Sequence, residues 1–492
     1  MTRETEGGLG RRAAAGFIWA MLGAGAGKLL TLVSIAVLAR LLAPAEFGLF
    51  AFALVYITYL ETLGDLGTGA ALVYWPDRTR EIAQVTFVLN LMTGVAWFLL
   101  TWVLAPAVAA YFHSPEGAPI LRALGATFPL KALGNTHDAL CKKDLRFRAR
   151  LLPEVGLAAV KAVVTIALAV AGVGVWSLVW GYVVATGARA ALLWLVVPWR
   201  PAWHWPADLF RPVLRYGGWI VVVNVVAVVV HHVDLVVVGR MLGLTALGFY
   251  QMAYKLPETV VILLVWQSSL VLFPAFSQAW ASGRSLGDAY VAALRFVSLL
   301  ALPAAASLFC LAEPLVLTLF GEDWRPSIPI LRALAVYTGL RALGTHTGDV
   351  IKAQGRPRML AALAAMKALV LVPTLIVAAR WGPTAVAAAT AAVAGATLAL
   401  DFAVVRRVSG APVRAILAAV VASMPPVAAL AVVLTAWARA ATGAGSLVVL
   451  FGGVLLGLAT YVLAVRVLSP DAYRGAISTL RARPTAGAAA VP

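Results

Sequence analysis

The chain has 492 residues, of which 62% are hydrophobic and only 12% charged, with a formal net charge of +18. A soluble protein carries about 25% charged residues to cover its surface. The composition therefore excludes an ordinary water-soluble domain and makes lipid the main neighbour. Cys141 and Cys310 fit neither a metal spacing nor a disulfide framework.

A spanning helix takes about 20 mostly apolar residues. In chain order the sequence predicts spans near 13–38, 47–72, 83–110, 119–141, 152–172, 175–198, 214–238, 246–273, 289–312, 328–351, 358–380, 383–405, 412–436 and 445–466. The expected fold class is all-α and polytopic, with about fourteen transmembrane helices. The first apolar run follows Arg11 and Arg12 and has no small-residue cleavage site, so it reads as a span, not a signal peptide.

Lysine and arginine in loops set orientation. With the N-terminus inside, the inner segments hold 24 basic residues and the outer loops five: Arg40, Arg240, Arg325, Arg380 and Arg439. That bias puts both termini in the cytoplasm, and it makes the basic charge a topology signal and not a nucleic-acid footprint. Trp194, Trp199, Trp203 and Trp205, with Pro198, Pro201 and Pro206, read as an interfacial linker on the cytoplasmic surface, because tryptophan favours that depth.

The chain repeats itself. PILRALGATFPLKALG at 119–134 and PILRALAVYTGLRALG at 329–344 agree at ten of sixteen positions with an offset of 210. At an offset of 200, Trp19 matches Trp219, Arg40 matches Arg240, Leu42 matches Leu242 and Gly48 matches Gly248. Six spans per copy give both copies the same orientation. The expected organisation is a six-helix lobe at 1–198, the linker at 199–215, a second six-helix lobe at 216–410, two extra helices at 411–468 and a cytoplasmic tail at 469–492. Substrate sites in transporters commonly lie between such halves.

Ten basic residues fall within spans: Lys28, Arg122, Lys131, Lys161, Arg189, Lys255, Arg295, Arg332, Arg341 and Lys367. Each costs about 2.5–3.5 kcal/mol at a helix centre unless it meets a partner or a wet cavity. Arg122, Arg332 and Arg295 lie near helix ends and can snorkel. Lys131 and Arg341 lie about 18 Å into their helices, and Lys161 and Lys367 about 13 Å. The two pairs are equivalent in the repeat. They define a candidate cationic substrate site, with Lys28, Arg122 and Arg332 as further members; the alternative is that each cation neutralises a local acid. The acids within spans are Glu61, Asp65, Asp138, Asp234, Glu258, Asp349 and Asp401. Asp234 and Glu258, then Glu61 and Asp65, are the candidates for coupling to sodium or protons. Lys255 and Glu258 stand three apart and can pair, and Asp138, Asp349 and Asp401 approach the cytoplasmic end.

Other motifs lead nowhere. GAGAGKL at 23–29 lacks the first glycine and the hydroxyl residue of a phosphate loop, and its glycines read as a helix-packing stripe. His231 and His232 point about 100° apart on a helix and suit no metal. No catalytic site, cofactor or resident metal is expected.

LARLLAPAEFGLFAFA at 38–53, DLGTGAALV at 65–73, GVGVWSLVWGYV at 172–183, DLVVVGRMLGLTALGFYQMAYKLPE at 234–258 and FGEDWRPSIPILRAL at 320–334 together resemble the polysaccharide transporter family of Wzx-type, lipid-linked oligosaccharide flippases. The resemblance covers most of residues 10–405. That family is grouped with the multidrug and toxin extruders and the lipid II flippase. It implies two six-helix lobes, alternating access and an undecaprenyl-pyrophosphate-linked glycan as substrate. Membrane lipids, a polysaccharide polymerase and a chain-length regulator are the implied partners. Deep lysine and arginine would suit a pyrophosphate through charge-assisted hydrogen bonds. The competing readings are an ion-coupled multidrug antiporter of the same superfamily, which the excess positive charge disfavours, and a membrane glycan-processing enzyme.

Overall fold

Inside lipid the backbone finds no outside hydrogen-bond partner, so an apolar chain must satisfy itself as helix or closed barrel. The computed structural model describes residues 25, 27–64, 72, 78–144, 146–202, 209–210, 231–441, 443 and 445–470, and among the described residues there is helix but no strand. Among the described residues nine helical segments are long and apolar enough to cross a membrane, Val413–Ala440 counting as one. The chain divides into two compact units between Gly248 and Phe249.

The first unit begins with α1 (Gly27–Leu38) and α2 (Pro44–Gly64). Glu46 in the first turn of α2 accepts from the Ala43 amide at 2.8 Å, which satisfies one orphan donor of the helix start. Helix α3 (Thr79–Tyr111) has 33 residues and is about 50 Å long, well beyond the ~30 Å hydrocarbon core. The predicted span at 119–141 is two helices, α4 (Gly117–Gly125) and α5 (Thr127–Lys143). A hairpin follows, α6 (Phe147–Val170) and α7 (Val175–Val196). Its connection turns on Gly172 and Gly174, at φ of 77° and 64°, a region that suits residues without Cβ. Helix α8 occupies residues 231–242.

Helix α9 (Leu244–Pro257) starts in the first unit and runs on through a π-helical turn, Glu258–Ile262, into α10 (Leu263–Ala281). The second unit continues with α11 (Leu286–Cys310), α12 (Ala312–Leu319) and α13 (Ser327–Ala353). A second hairpin, α14 (Pro357–Ala378) and α15 (Pro383–Ser409), corresponds to α6 and α7. The chain then forms α16 (Val413–Val421), α17 (Met424–Ala440) and α18 (Ser446–Leu468). Large apolar side chains face outward, including Val103 at 73% and Leu455 at 70% exposure, as lipid-facing surface requires.

Two local features go beyond the sequence reading. Trp194 and Trp199 are turned into protein: their rings pack edge-on to Phe87 at 6.2 and 5.8 Å, and the Trp194 indole donates to Leu133 O at 2.8 Å. A buried indole N–H needs such a partner. Trp203 and Trp205 lie outside the described residues. Second, the repeat pair Gly48 and Gly248 forms a backbone crossing. A Cβ at Gly48 would overlap the Leu244 carbonyl, and one at Gly248 would overlap the Pro44 carbonyl. At the offset of 200 these two contacts are the same contact.

Candidate functional site

In the first unit, α5, α6, α7 and α2 bring four of the relevant side chains together. Gly181 on α7 makes this possible, because a Cβ there would stand 3.2 Å from the Thr165 Cα on α6. The close approach puts Tyr182 beside Lys161. Lys131 Nζ on α5 forms an ion pair with Glu61 of α2 and donates to Tyr182 Oη at 2.9 Å. The same tyrosine ring has Lys131 Nζ at 5.2 Å and Lys161 Nζ at 5.1 Å from its centroid, both inside the range of a cation–π attraction. Phe50 steadies the ring edge-on at 6.3 Å. Lys131, Lys161 and Glu61 sum to one positive charge, and the Lys131 and Glu61 side chains keep about a quarter of their surface exposed, 26% and 28%. The cluster is thus held in place, with part of its surface not covered by protein.

In the second unit the equivalent cations are held separately. Arg341 on α13 donates to Tyr254 Oη at 3.3 Å and lies 6.0 Å from the Tyr337 ring centroid. Lys367 on α14 donates to both carboxylate oxygens of Asp401 on α15, each at 2.7 Å. Asp401 is buried, with Gly344 against it: a Cβ at Gly344 would meet Asp401 Oδ2 at 2.6 Å. Lys255 pairs with Glu258 at 2.9 Å, where the helix enters its π turn.

The other named residues lie as follows. Lys28 is half-buried on α1. Arg122 sits over Trp102, 5.2 Å from the ring centroid, and donates to its carbonyl at 3.3 Å. Arg332 lies 4.0 Å from Glu313. Asp234 is buried and accepts from the Leu235 amide at 2.9 Å. Asp65 lies outside the described residues. Asp138 belongs to a denser charge cluster, paired with Arg150 at 2.5 Å, Lys142 at 2.8 Å and Arg189 at 3.4 Å; Glu154 also binds Arg189, at 2.9 Å.

Tyr182, Tyr254 and Tyr337 do not stand out in the sequence. Tyr337 precedes Arg341 by four residues, a spacing that puts both on one helical face, and this was the available clue. Tyr182 is 51 residues from Lys131, and nothing local announces it.

Residues 37–329 match the polysaccharide biosynthesis protein family. The chain is 29% identical over 314 residues to the succinoglycan biosynthesis transport protein ExoT of Rhizobium meliloti, a match spanning 63% of each chain and so just under two thirds of that relative. It is 25% identical over 355 residues to the lipopolysaccharide biosynthesis protein WzxC of Escherichia coli, spanning 71% of each. Among solved structures, the lipid II flippase MurJ in an inward closed conformation superposes with a TM-score of 0.75 at 14% identity, over 94% of this chain and 100% of that one. A multidrug resistance MATE family transporter in an inward-facing conformation gives 0.65 at 16% identity, over 78% and 95%. Those likenesses establish the fold, that of multi-pass membrane transporters. Because the family match runs over more than half of its length, the chain belongs to the polysaccharide biosynthesis protein family.

Proposed function

We propose that this protein is a flippase, not an enzyme, that moves an undecaprenyl-pyrophosphate-linked oligosaccharide or polysaccharide repeat unit across the cytoplasmic membrane by alternating access. Membership of the polysaccharide biosynthesis family, with relatives named for succinoglycan transport and lipopolysaccharide biosynthesis, carries this reading. The chemistry supports it. A pyrophosphate loses hydration on entering a protein and needs fixed cations with N–H donors; Lys131, Lys161, Arg341 and Lys367 are such donors at repeat-related positions. In this reading Glu61 and Asp401 serve as resident counterions that hold Lys131 and Lys367 until the substrate's phosphates arrive. Both termini are cytoplasmic, the lipid tail stays in the bilayer, an ion gradient of protons or sodium supplies direction, and a polymerase and chain-length regulator act downstream.

Complementation of a strain lacking its own flippase tests the proposal. Glycan should reach the outer surface with unchanged covalent structure, and Lys131→Ala and Arg341→Ala should each reduce display about tenfold or more, the loss of one charged hydrogen-bonding group, with membrane insertion intact. Normal display in all of Lys131→Ala, Lys161→Ala, Arg341→Ala and Lys367→Ala would make the cations structural. Altered glycan linkage would favour a processing enzyme, and export of cationic dyes an antiporter.

A further inference from the structure

A buried polar cluster in the second unit stands apart from the cations assigned to the substrate. His346 on α13 is 2% exposed. Its Nδ1 lies 2.9 Å from Asp349 Oδ2, one turn further along the helix. Its Nε2 lies 3.1 Å from Ser268 Oγ on α10. Ser269 Oγ donates to the same Asp349 oxygen at 2.9 Å and stands 3.5 Å from Nδ1. Ser268 Oγ itself donates to Val265 O at 2.6 Å.

Two proton contents fit these distances, one for each orientation of the Ser268 hydroxyl. A serine hydroxyl has one proton, and in the first orientation that of Ser268 goes to Val265 O at 2.6 Å. While that bond stands the Ser268 oxygen can only accept toward Nε2, so Nε2 bears hydrogen; with the hydroxyl turned to Nε2, 3.1 Å away, Nε2 is bare and Nδ1 alone carries the ring proton. Nδ1 faces a carboxylate oxygen and a hydroxyl whose proton is likewise committed. A neutral imidazole carries one N–H, not two. In the first orientation, then, either the ring is an imidazolium or the Asp349 carboxyl holds the proton. In both cases the pair contains one proton more than a neutral histidine beside a carboxylate.

We infer that Ser268, His346 and Asp349 form a proton-carrying site of the transporter. The arrangement in which Ser268 donates to Val265 O, the shorter of its two contacts, is the loaded state. In the empty state the proton on Nε2 has left for water, and the Ser268 hydroxyl has turned from Val265 O to donate to Nε2; the Nδ1–H···Asp349 bond is kept. Turning that hydroxyl releases a backbone carbonyl of α10 just after the π turn at Glu258–Ile262. Loading is thereby tied to the backbone bonding of a helix whose pattern is already interrupted, a common setting for functional sites.

The surrounding charges are few. Lys352 Nζ is 3.8 Å from the other Asp349 oxygen. Asp401 of α15 faces α13 at Gly344 and is matched by Lys367 of α14. Tyr290 of α11 is fully buried, the Phe276 ring of α10 stands 6.5 Å from the imidazole, Arg341 is engaged with Tyr254 and Glu258 with Lys255. The Ser–His–Asp order also matches a nucleophilic triad. A triad base must take the serine's proton, whereas in the loaded state that proton goes to a backbone carbonyl and Nε2 is occupied.

The proton content is measurable without any glycan, so its test is separate from that of the flippase reading, on which only the purpose of the proton rests. The full chain, labelled with ¹⁵N-histidine in lipid nanodiscs, should show by NMR a buried histidine whose Nε2 is protonated and whose Nδ1 is hydrogen-bonded. His346→Gln should remove that signal, and Asp349→Asn should shift it, which assigns it even if one variant fails to insert. In proteoliposomes with an imposed pH gradient, both variants should lower the gradient-driven rate about tenfold, a usual size for a coupling free energy. A wild-type His346 whose Nε2 carries no proton, or covalent capture of Ser268 by a fluorophosphonate, would overturn the inference.

Discussion

The two copies of the repeat reach the same helix order by different local means. In the first, ALGATFPLKALG breaks at Ala126 into α4 and α5; in the second, ALAVYTGLRALG runs unbroken within α13. Pro129 stands where the second copy has Gly339. Proline has no N–H for the carbonyl four residues back and crowds it, whereas glycine keeps that bond at a cost of about 1 kcal/mol. The second copy is interrupted in a different helix: Pro257, where the first copy has Ile57, ends α9 at the π turn. The histidine motifs diverge in the same way. His137 and Asp138 are adjacent in the first copy, so they cannot share a helical face; His137 meets Trp199 O at 3.3 Å while Asp138 turns to Arg150. In the second copy the pair is spaced by three, and it closes on itself. A one- or two-residue change between duplicated halves thus decides which half holds a break and which holds a buried acid–base couple.

Substitutions that erase or exchange these differences test that view. The largest effect is expected where the copies are the same. Gly48→Ala and Gly248→Ala should each cost about 3 kcal/mol or more, because the intruding atom meets backbone and not a movable side chain. Thermal denaturation in detergent would check this, and tolerance of one but not the other would refute a reciprocal crossing. Gly339→Pro, which gives the second copy the residue of the first, should cost about 3 kcal/mol and split α13. Asp401→Asn leaves Lys367 without its counter-charge and should cost about 2–3 kcal/mol. Glu61→Gln removes the corresponding partner of Lys131 but should cost only about 1 kcal/mol, since Glu61 is 28% exposed and Asp401 only 5%. Comparing melting temperatures of those two variants measures the asymmetry between the copies directly. The smallest change, below about 1 kcal/mol, is expected for Pro129→Ala, which should fuse α4 and α5; hydrogen exchange at Ala126 and Thr127 would slow.

The helices could be read from the sequence because lipid imposes a strong and simple demand: long apolar runs, with basic residues between them. Helices occupy the predicted stretches that the described residues reach, including 27–38 and 231–242. The duplicated cations could also be found, since charge inside apolar runs is conspicuous. Their partners could not. Glu61 lies 70 residues from Lys131, and Lys367 and Asp401 are joined only by the hairpin geometry of α14 and α15. The break at Ala126 followed from Pro129, yet the span's length alone suggested one continuous helix. His346 was missed because a single histidine in a helix carries no periodic signal; the echo of His137–Asp138 in His346–Asp349, slipped by one position, was the trace it left.

The crossing of residues 44–48 with residues 244–248 is one surface patch used twice. A shorter chain holding a single copy could make the same contact with a second molecule of itself, each glycine meeting the other's helix start across a true two-fold axis, as isologous dimers do. Fusing the copies into one polypeptide removes the dependence on concentration but keeps the self-complementarity. Elsewhere each copy is free to drift, and α4–α5 against α13 shows how far it has. At this joint a larger residue on either side has nothing opposite that can shrink, because both sides are already glycine.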